Sequence, residues 1–127
     1  MIKKILFVVC LILMFGACVQ KKRFVSYKPA KFAELIRDPS IQLVDVRRPD
    51  EYAAGHIERA VLINVLESDF IAKADSLLDK SRPVAVYCRS GKRSRNAAEQ
   101  LFKEGYKVYN LDAGYIGWTE YLRSKEK

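Results

Sequence analysis

Residues 84–98, VAVYCRSGKRSRNAA, constrain the fold more than any other stretch: a buried strand runs into a lone cysteine, a tight basic loop and a helix. Val84, Ala85, Val86 and Tyr87 follow Pro83 as an apolar, largely β-branched or aromatic run, the pattern of a central parallel strand. Ala97, Ala98, Leu101 and Phe102 then recur at helical spacing, and Gly105 stands where that helix ends. Cys88 is thereby placed at the carboxyl end of a strand, facing a helix amino terminus. In open α/β sheets that is where ligands bind.

Arg89, Lys92, Arg93 and Arg95 put four cations where the helix dipole is already positive. Helix stability disfavours each by roughly 0.3 to 1 kcal/mol when exposed, and a local rule broken without structural gain marks a functional site. Two anions answer the description. One is the Cys88 thiolate, whose pKa falls beside cations and helix amino termini; the other is an anionic substrate drawn by the same field. Gly91 and the loop amides suit a concave anion-binding nest. The competing reading is a solvated basic patch beside a buried structural cysteine.

Four motifs in order carry a family resemblance: LVDVRRPDEYAAGHI (43–57), AVLINV (60–65), VYCRSGKRS (86–94) and LDAGYIGW (111–118). The chain resembles the single-domain rhodaneses, a family of sulfurtransferases. The resemblance implies an α/β fold with a five-stranded, mostly parallel sheet flanked by helices on both faces. It also implies Cys88 as the nucleophile that becomes a persulfide, and the loop Arg89, Ser90, Gly91, Lys92, Arg93 and Ser94 as substrate-binding and persulfide-stabilising. Asp45, Arg47 and Glu51 match the family's first signature, where polar pairing supports that loop, and Arg47 is also within the range of roles that touch substrate. Ala113 departs from the pattern by standing where the family often has glycine.

The implied activity is transfer of sulfane sulfur from thiosulfate or a similar small donor to a thiophilic acceptor such as cyanide or a thiol, with a thiol protein as a further candidate. No cofactor and no metal are implied, and the domain is expected to be a monomer. Some cysteine phosphatases and arsenate reductases share the fold by the same resemblance. Their loops place an arginine after five intervening residues, and here that position is Ser94, with Arg93 one short and Arg95 one long. A non-enzymatic module or persulfide carrier at the cell envelope is a third reading, disfavoured by the full basic loop.

With 127 residues, about half of them hydrophobic, the chain can bury one core. Residues 1–17 read as a signal peptide: Lys3 and Lys4 begin it, an apolar run from Ile5 to Met14 follows, and Phe15, Gly16 and Ala17 lead to Cys18. That ending resembles the lipobox of bacterial lipoproteins, so Cys18 is expected to be the lipidated first residue, anchored in the cell envelope at the periplasm or membrane surface. Residues 18–24 then form a basic tether, 25–122 the domain and 123–127 a polar tail. Cleavage removes Cys10 and acylation consumes Cys18, which leaves Cys88 as a single unpaired thiol outside the cytoplasm, a flag for reactivity.

Loss of Lys3 and Lys4 lowers the formal charge from +8 to roughly +6. Export argues against nucleic acid as the partner. Lys21, Lys22 and Arg23 could touch anionic headgroups, at about 1 kcal/mol per charge near a negative surface, but the simpler reading is a polar tether between anchor and domain.

The remaining pattern alternates strands and helices, as expected for a sheet with crossovers. An edge strand at 24–27 is followed by a helix opened by Pro29, a strand over 41–46, a short helix opened by Pro49 and a brief strand at 60–63. A helix carrying Phe70, Ile71, Ala74, Leu77 and Leu78 on one face comes next, capped by Ser68 or Asp69. After the central strand and the helix of the cysteine segment, 108–111 is the last strand. A helix over 115–122 turns Trp118, Tyr121 and Leu122 inward. Ser94 is expected to cap the cysteine helix and donate towards the sulfur, while Lys92 and Arg93 bind anions. His56, the only histidine, matches a family position that is not a general base, and a pre-formed thiolate needs none. It is read as structural. One histidine and one available cysteine cannot supply the usual three or four metal ligands.

Overall fold

A computed structural model describes residues 23–127; the expected signal peptide, Cys18 and most of the basic tether lie outside the described residues. Five strands, β1 (Val25–Tyr27), β2 (Gln42–Asp45), β3 (Val61–Leu62), β4 (Val84–Tyr87) and β5 (Val108–Leu111), form one parallel sheet in the order β1-β5-β4-β2-β3. Crossovers are made by α1 (Pro29–Leu35), α2 (Pro49–Ala54), α3 (Phe70–Leu77) and α4 (Lys92–Lys103), and α5 (Gly114–Lys125) closes the chain. The sheet is fully parallel, and the rhodanese-like architecture expected from the motifs is the one observed. Among the described residues, no helix is long and apolar enough to cross a membrane.

The chain leaves β2 outward to β3 but leaves β4 in the opposite direction to β5, so β2 and β4 are neighbours whose connections diverge. Their carboxyl ends therefore border a topological switch point, the crevice in which such sheets bind ligands. Asp45 pairs with Tyr87 in register. Arg47 and Cys88 lie just beyond.

Alternation along the strands builds two cores. Val44, Val46, Val84, Val86 and Cys88 pack on one face with Phe70, Ala74, Ala97, Ala98 and Leu101 of α3 and α4. Leu43, Ala85, Tyr87 and Leu111 pack on the other with Phe32 of α1 and Trp118 of α5. All four β4 side chains are fully buried, which is why that strand reads as an unbroken apolar run. Phe32 and Trp118 meet edge to face at 6.2 Å, and burying a phenyl side chain is worth about 1.5–3 kcal/mol.

Several local expectations need correction. Leu77 and Leu122, placed inward by helical spacing, are largely exposed. Both stand in the last turns of helices that pack by their earlier residues, Phe70 and Ala74 in one case and Gly114 and Trp118 in the other. The final helix also runs to Lys125 instead of stopping at Leu122. Asp69 precedes α3 but makes no side-chain cap, because its conformation is not extended.

The amino terminus of α5 braces the cysteine loop from outside. Tyr115 N–H donates to Cys88 O at 2.8 Å and Ile116 N–H to Arg89 O at 3.1 Å, so two helix-start donors are satisfied by the loop's own carbonyls. Gly114 permits this approach: its φ is +63°, and a Cβ there would overlap Arg89 O and come within 2.6 Å of Ser90 N. Ala113, the residue that departs from the family pattern, has ordinary right-handed helical angles and occupies the space that a Cβ on Gly117 would need. Replacing Gly114 with Ala is expected to cost about 1–3 kcal/mol in urea unfolding, more than Gly105→Ala, whose Cβ would meet open space. Equal costs for the two variants would contradict this bracing role.

Candidate functional site

Cys88 directly follows β4 and is 1% exposed. The chain then turns through residues 89–91, with Gly91 at φ +106° as the residue before α4. A Cβ on Gly91 would overlap Asp112 O, so the loop's tight curl depends on glycine there. That curl turns the Gly91 N–H back onto Cys88 Sγ at 3.1 Å. The Ser94 hydroxyl lies 3.4 Å from the sulfur and itself donates to Gly91 O at 3.1 Å.

Ser94 therefore does not cap the helix. It sits in the third position of α4, fully buried, and accepts from the thiol in the protonated state. Ionisation of Cys88 calls for the hydroxyl to reverse and donate to the sulfur.

Burial pushes the Cys88 thiol up, but the Ser94 hydroxyl and the backbone N–H groups of Ser94, Gly91 and Ser90 pull it down further, and it lies below its ordinary value. The sequence pointed to nearby cations, a helix amino terminus, the loop amides and a Ser94 hydroxyl donating towards the sulfur; of these, the hydroxyl and the amides are the leading favourable contributions.

The four loop cations divide into distinct groups. Arg93, expected to bind anions, is bidentate on Glu51, with Nη1 donating to Oε1 at 2.7 Å and Nη2 to Oε2 at 2.9 Å. Its charge is held by the carboxylate that the first motif supplies. Arg95 lies 3.8 Å from Asp112 on the surface. Arg89 and Lys92 are exposed and make no ion pair among the described residues. The local field therefore comes from fewer free charges than the sequence suggested.

Glu51 also accepts the Arg48 N–H at the start of α2, at 3.2 Å. Arg93 beside it holds its carboxyl at about 2, against a partial burial that opposes ionisation. This strap ties α2 to α4 across the switch point.

Asp45 and Arg47 form a second, deeper pair on the opposite face of the sheet from Cys88. Arg47 Nε and Nη2 donate to Asp45 at 2.9 and 2.7 Å, and Nη2 also donates to Gly55 O at 2.7 Å. The guanidinium lies 4.5 Å from the Tyr115 ring centroid and 5.6 Å from that of Tyr87. Both residues are at least 97% buried. Arg47 is thus engaged with protein groups. His56 stacks on Tyr52 at 3.6 Å, and its Nδ1 lies 2.8 Å from Tyr52 O.

Sequence reasoning missed Tyr115, whose amide braces the loop and whose ring covers Arg47, and it missed Asp112, whose carbonyl crowds Gly91. Both lie in the fourth motif, so their position was marked although their contacts were not.

A buried cysteine within a curl of N–H donors at the sheet's switch point is the setting in which comparison with known proteins becomes decisive. The family model described as Rhodanese-like domain matches residues 28–121. The chain belongs to the rhodanese-like domain family.

A relative from Pseudomonas fluorescens (strain SBW25), Thiosulfate sulfurtransferase GlpE, is 41% identical over 92 residues, covering 71% of this chain and 81% of that protein. The tRNA uridine(34) hydroxylase of Pelagibacter ubique (strain HTCC1062) is 33% identical over 99 residues, but this chain (77% covered) spans only 33% of its length. Among solved structures, a rhodanese-related protein from Thermoplasma volcanium superposes with a TM-score of 0.67 at 28% identity, covering 77% of this chain and 93% of that one. The rhodanese-like domain thus has sulfurtransferase relatives of its own size.

If the Glu51–Arg93 strap holds the two helices together, Glu51→Gln is expected to destabilise the domain by about 1–3 kcal/mol at pH 7. A carboxyl held low when folded stabilises the fold fully above its unfolded value near 4.5, and that contribution is lost as pH falls through about 2. Denaturation of both proteins across pH 2–7 should therefore show the difference shrinking towards the acid end. A difference independent of pH would place its origin elsewhere.

Proposed function

We propose that the rhodanese-like domain is a thiosulfate sulfurtransferase acting through a Cys88 persulfide. The observation that carries this reading is the Cys88 sulfur, 1% exposed yet met by the Gly91 N–H at 3.1 Å and the Ser94 hydroxyl at 3.4 Å. Such a site stabilises a sulfur anion without a neighbouring base.

In the first half-reaction the Cys88 thiolate attacks the outer sulfur of thiosulfate. A Cys88 S–S bond forms, the donor's S–S bond breaks, and sulfite leaves with the electron pair. In the second, a thiophilic acceptor attacks the outer persulfide sulfur, and the pair returns to Cys88 Sγ. Two moderate displacements replace one difficult transfer. The Gly91 N–H is directed at Sγ, where the thiolate charge resides before the first attack and to which the electron pair returns in the second step, so little reorganisation of that donor accompanies either one. Arg89 and Lys92, exposed at the loop, attract the dianionic donor and stabilise departing sulfite. Arg93 acts on the site indirectly, by keeping α2 against α4.

The same geometry disfavours phosphoryl transfer. The position at which an arginine would follow five intervening residues is Ser94, and the guanidinium of the preceding residue, Arg93, is bound to Glu51. Purified domain is expected to transfer sulfur from thiosulfate to cyanide and to leave aryl phosphates intact, with Cys88→Ser inactive in both assays. Full sulfur transfer by Cys88→Ser, or robust phosphatase turnover by the wild type, would overturn the assignment.

The proposal includes placement in the cell envelope, supported by the apolar run of Ile5 to Met14 and the small residues Gly16 and Ala17 before Cys18. Full-length protein made in a bacterial host is expected in the membrane fraction with lipid attached, and Cys18→Ala without it. Recovery of wild-type protein from the cytosol with residues 1–17 intact would contradict export.

A further inference from the structure

Beside the cysteine loop, a cleft of about 410 Å³ opens between α2 and α5. Its size suits an organic ligand, since sites for such molecules run from roughly 300 to 1,000 Å³, and it exceeds what an inorganic donor such as thiosulfate would fill. Cys88 is not among its lining residues, but Arg89 is, and its floor at Tyr115 and Ile116 is hydrogen-bonded to the carbonyls of Cys88 and Arg89.

The charges of the cleft separate into engaged and free. Arg47 is engaged by Asp45, Glu51 by Arg93, and Arg48 by Asp50 at 3.1 Å. Arg89, Glu120 and Arg123 also line it, and among the described residues they make no ion pair. Two unpaired cations and one unpaired carboxylate thus face a cavity that extends away from the sulfur.

The order of these groups along α5 sets the shape of what fits. Ile116, Thr119, Glu120 and Arg123 follow one another at the spacing of a single helix face, and that stripe lines the cleft instead of the core. Ile116, 43% exposed, is the end tied to the cysteine loop. Arg123 lies seven residues on, about 10 Å along the helix axis. A ligand spanning the stripe would have its reactive end at Arg89, an apolar or amide middle over Ile116 and Thr119, and charged ends of both signs at Glu120 and Arg123.

We infer that this cleft is the acceptor subsite, and that it takes an elongated, peptide-like thiol carrying carboxylate and ammonium groups. The inference rests on the proposed sulfur transfer. The acceptor thiolate attacks the outer sulfur of the Cys88 persulfide, forming a new S–S bond, while the old one breaks and its electron pair returns to Cys88 Sγ. The product is the acceptor's persulfide, and no external oxidant or reductant is involved. Arg123 orients the acceptor's carboxylate and Glu120 its ammonium, remote from the reacting sulfurs, so both are positioning residues.

Steady-state kinetics with thiosulfate as donor test this, using glutathione, 2-mercaptoethanol and cyanide as acceptors and mass spectrometry of the alkylated persulfide product for the thiols. Arg123→Gln is expected to raise KM for glutathione at least about fivefold, within the range of one lost charge-assisted contact, with KM for 2-mercaptoethanol and cyanide unchanged. Glu120→Gln should shift the glutathione KM alone in the same direction. Unchanged cyanide turnover also shows that the variants are folded. A glutathione KM unaffected by either substitution, or a wild type that transfers sulfur to cyanide but not to glutathione, would overturn the cleft assignment and leave sulfur transfer standing. A wild type inactive with cyanide as well would instead remove the proposed function beneath it.

Discussion

A sulfur anion removed from water is costly unless donors replace its hydration, and the site is organised around that constraint. Cys88 Sγ lies at the floor of a loop in which Gly91 N–H points inward at 3.1 Å. For those amides to face the sulfur, the loop carbonyls must face away and find other partners. Those of Cys88 and Arg89 do so in the first turn of α5. One end of a helix thereby satisfies the outside of the loop so that the inside can serve an anion. The close approach needs glycine at 114, and the curl itself needs glycine at 91.

Two ion pairs hold the frame in different ways. Asp45 and Arg47 are almost completely buried, and a pair of that kind contributes little net stability against an apolar replacement, although removing one partner costs about 3–5 kcal/mol. What the pair provides is position: its guanidinium reaches Gly55 O and lies against Tyr115, linking the end of β2 to α2 and to the helix that braces the cysteine loop. Glu51 and Arg93 are nearer the surface and join α2 to α4 directly. The strap also withdraws from the anion site one of the four cations of the loop.

Much of this was legible before any coordinates, for identifiable reasons. β4 is buried on both faces, so its apolar run has no alternative reading, and Cys88 could be placed from Pro83 and the helical spacing of Ala97, Ala98 and Leu101 alone. The partnership of Arg93 was not legible, because Glu51 is 42 residues away and a cation beside a cysteine looks the same whether free or paired. Nor was the relative weight of the groups that lower the Cys88 pKa, since a sequence names a serine, loop amides and cations alike without showing that the first two lead. Helix ends misled for a related reason: Leu77 and Leu122 have the right spacing, but each helix packs by its earlier turns. Ser94 has the chemistry of a cap, yet its hydroxyl turns back to Gly91 O within the helix.

The central claim is that the loop stabilises one sulfur atom bound to Cys88. The most direct measurement is the intact mass of the domain after thiosulfate, before and after addition of cyanide. The wild type is expected to gain one sulfur atom, removed by cyanide with thiocyanate appearing in equal amount, and Cys88→Ser to gain none. A wild-type mass unchanged by thiosulfate, or an added sulfur that persists in Cys88→Ser, would contradict it.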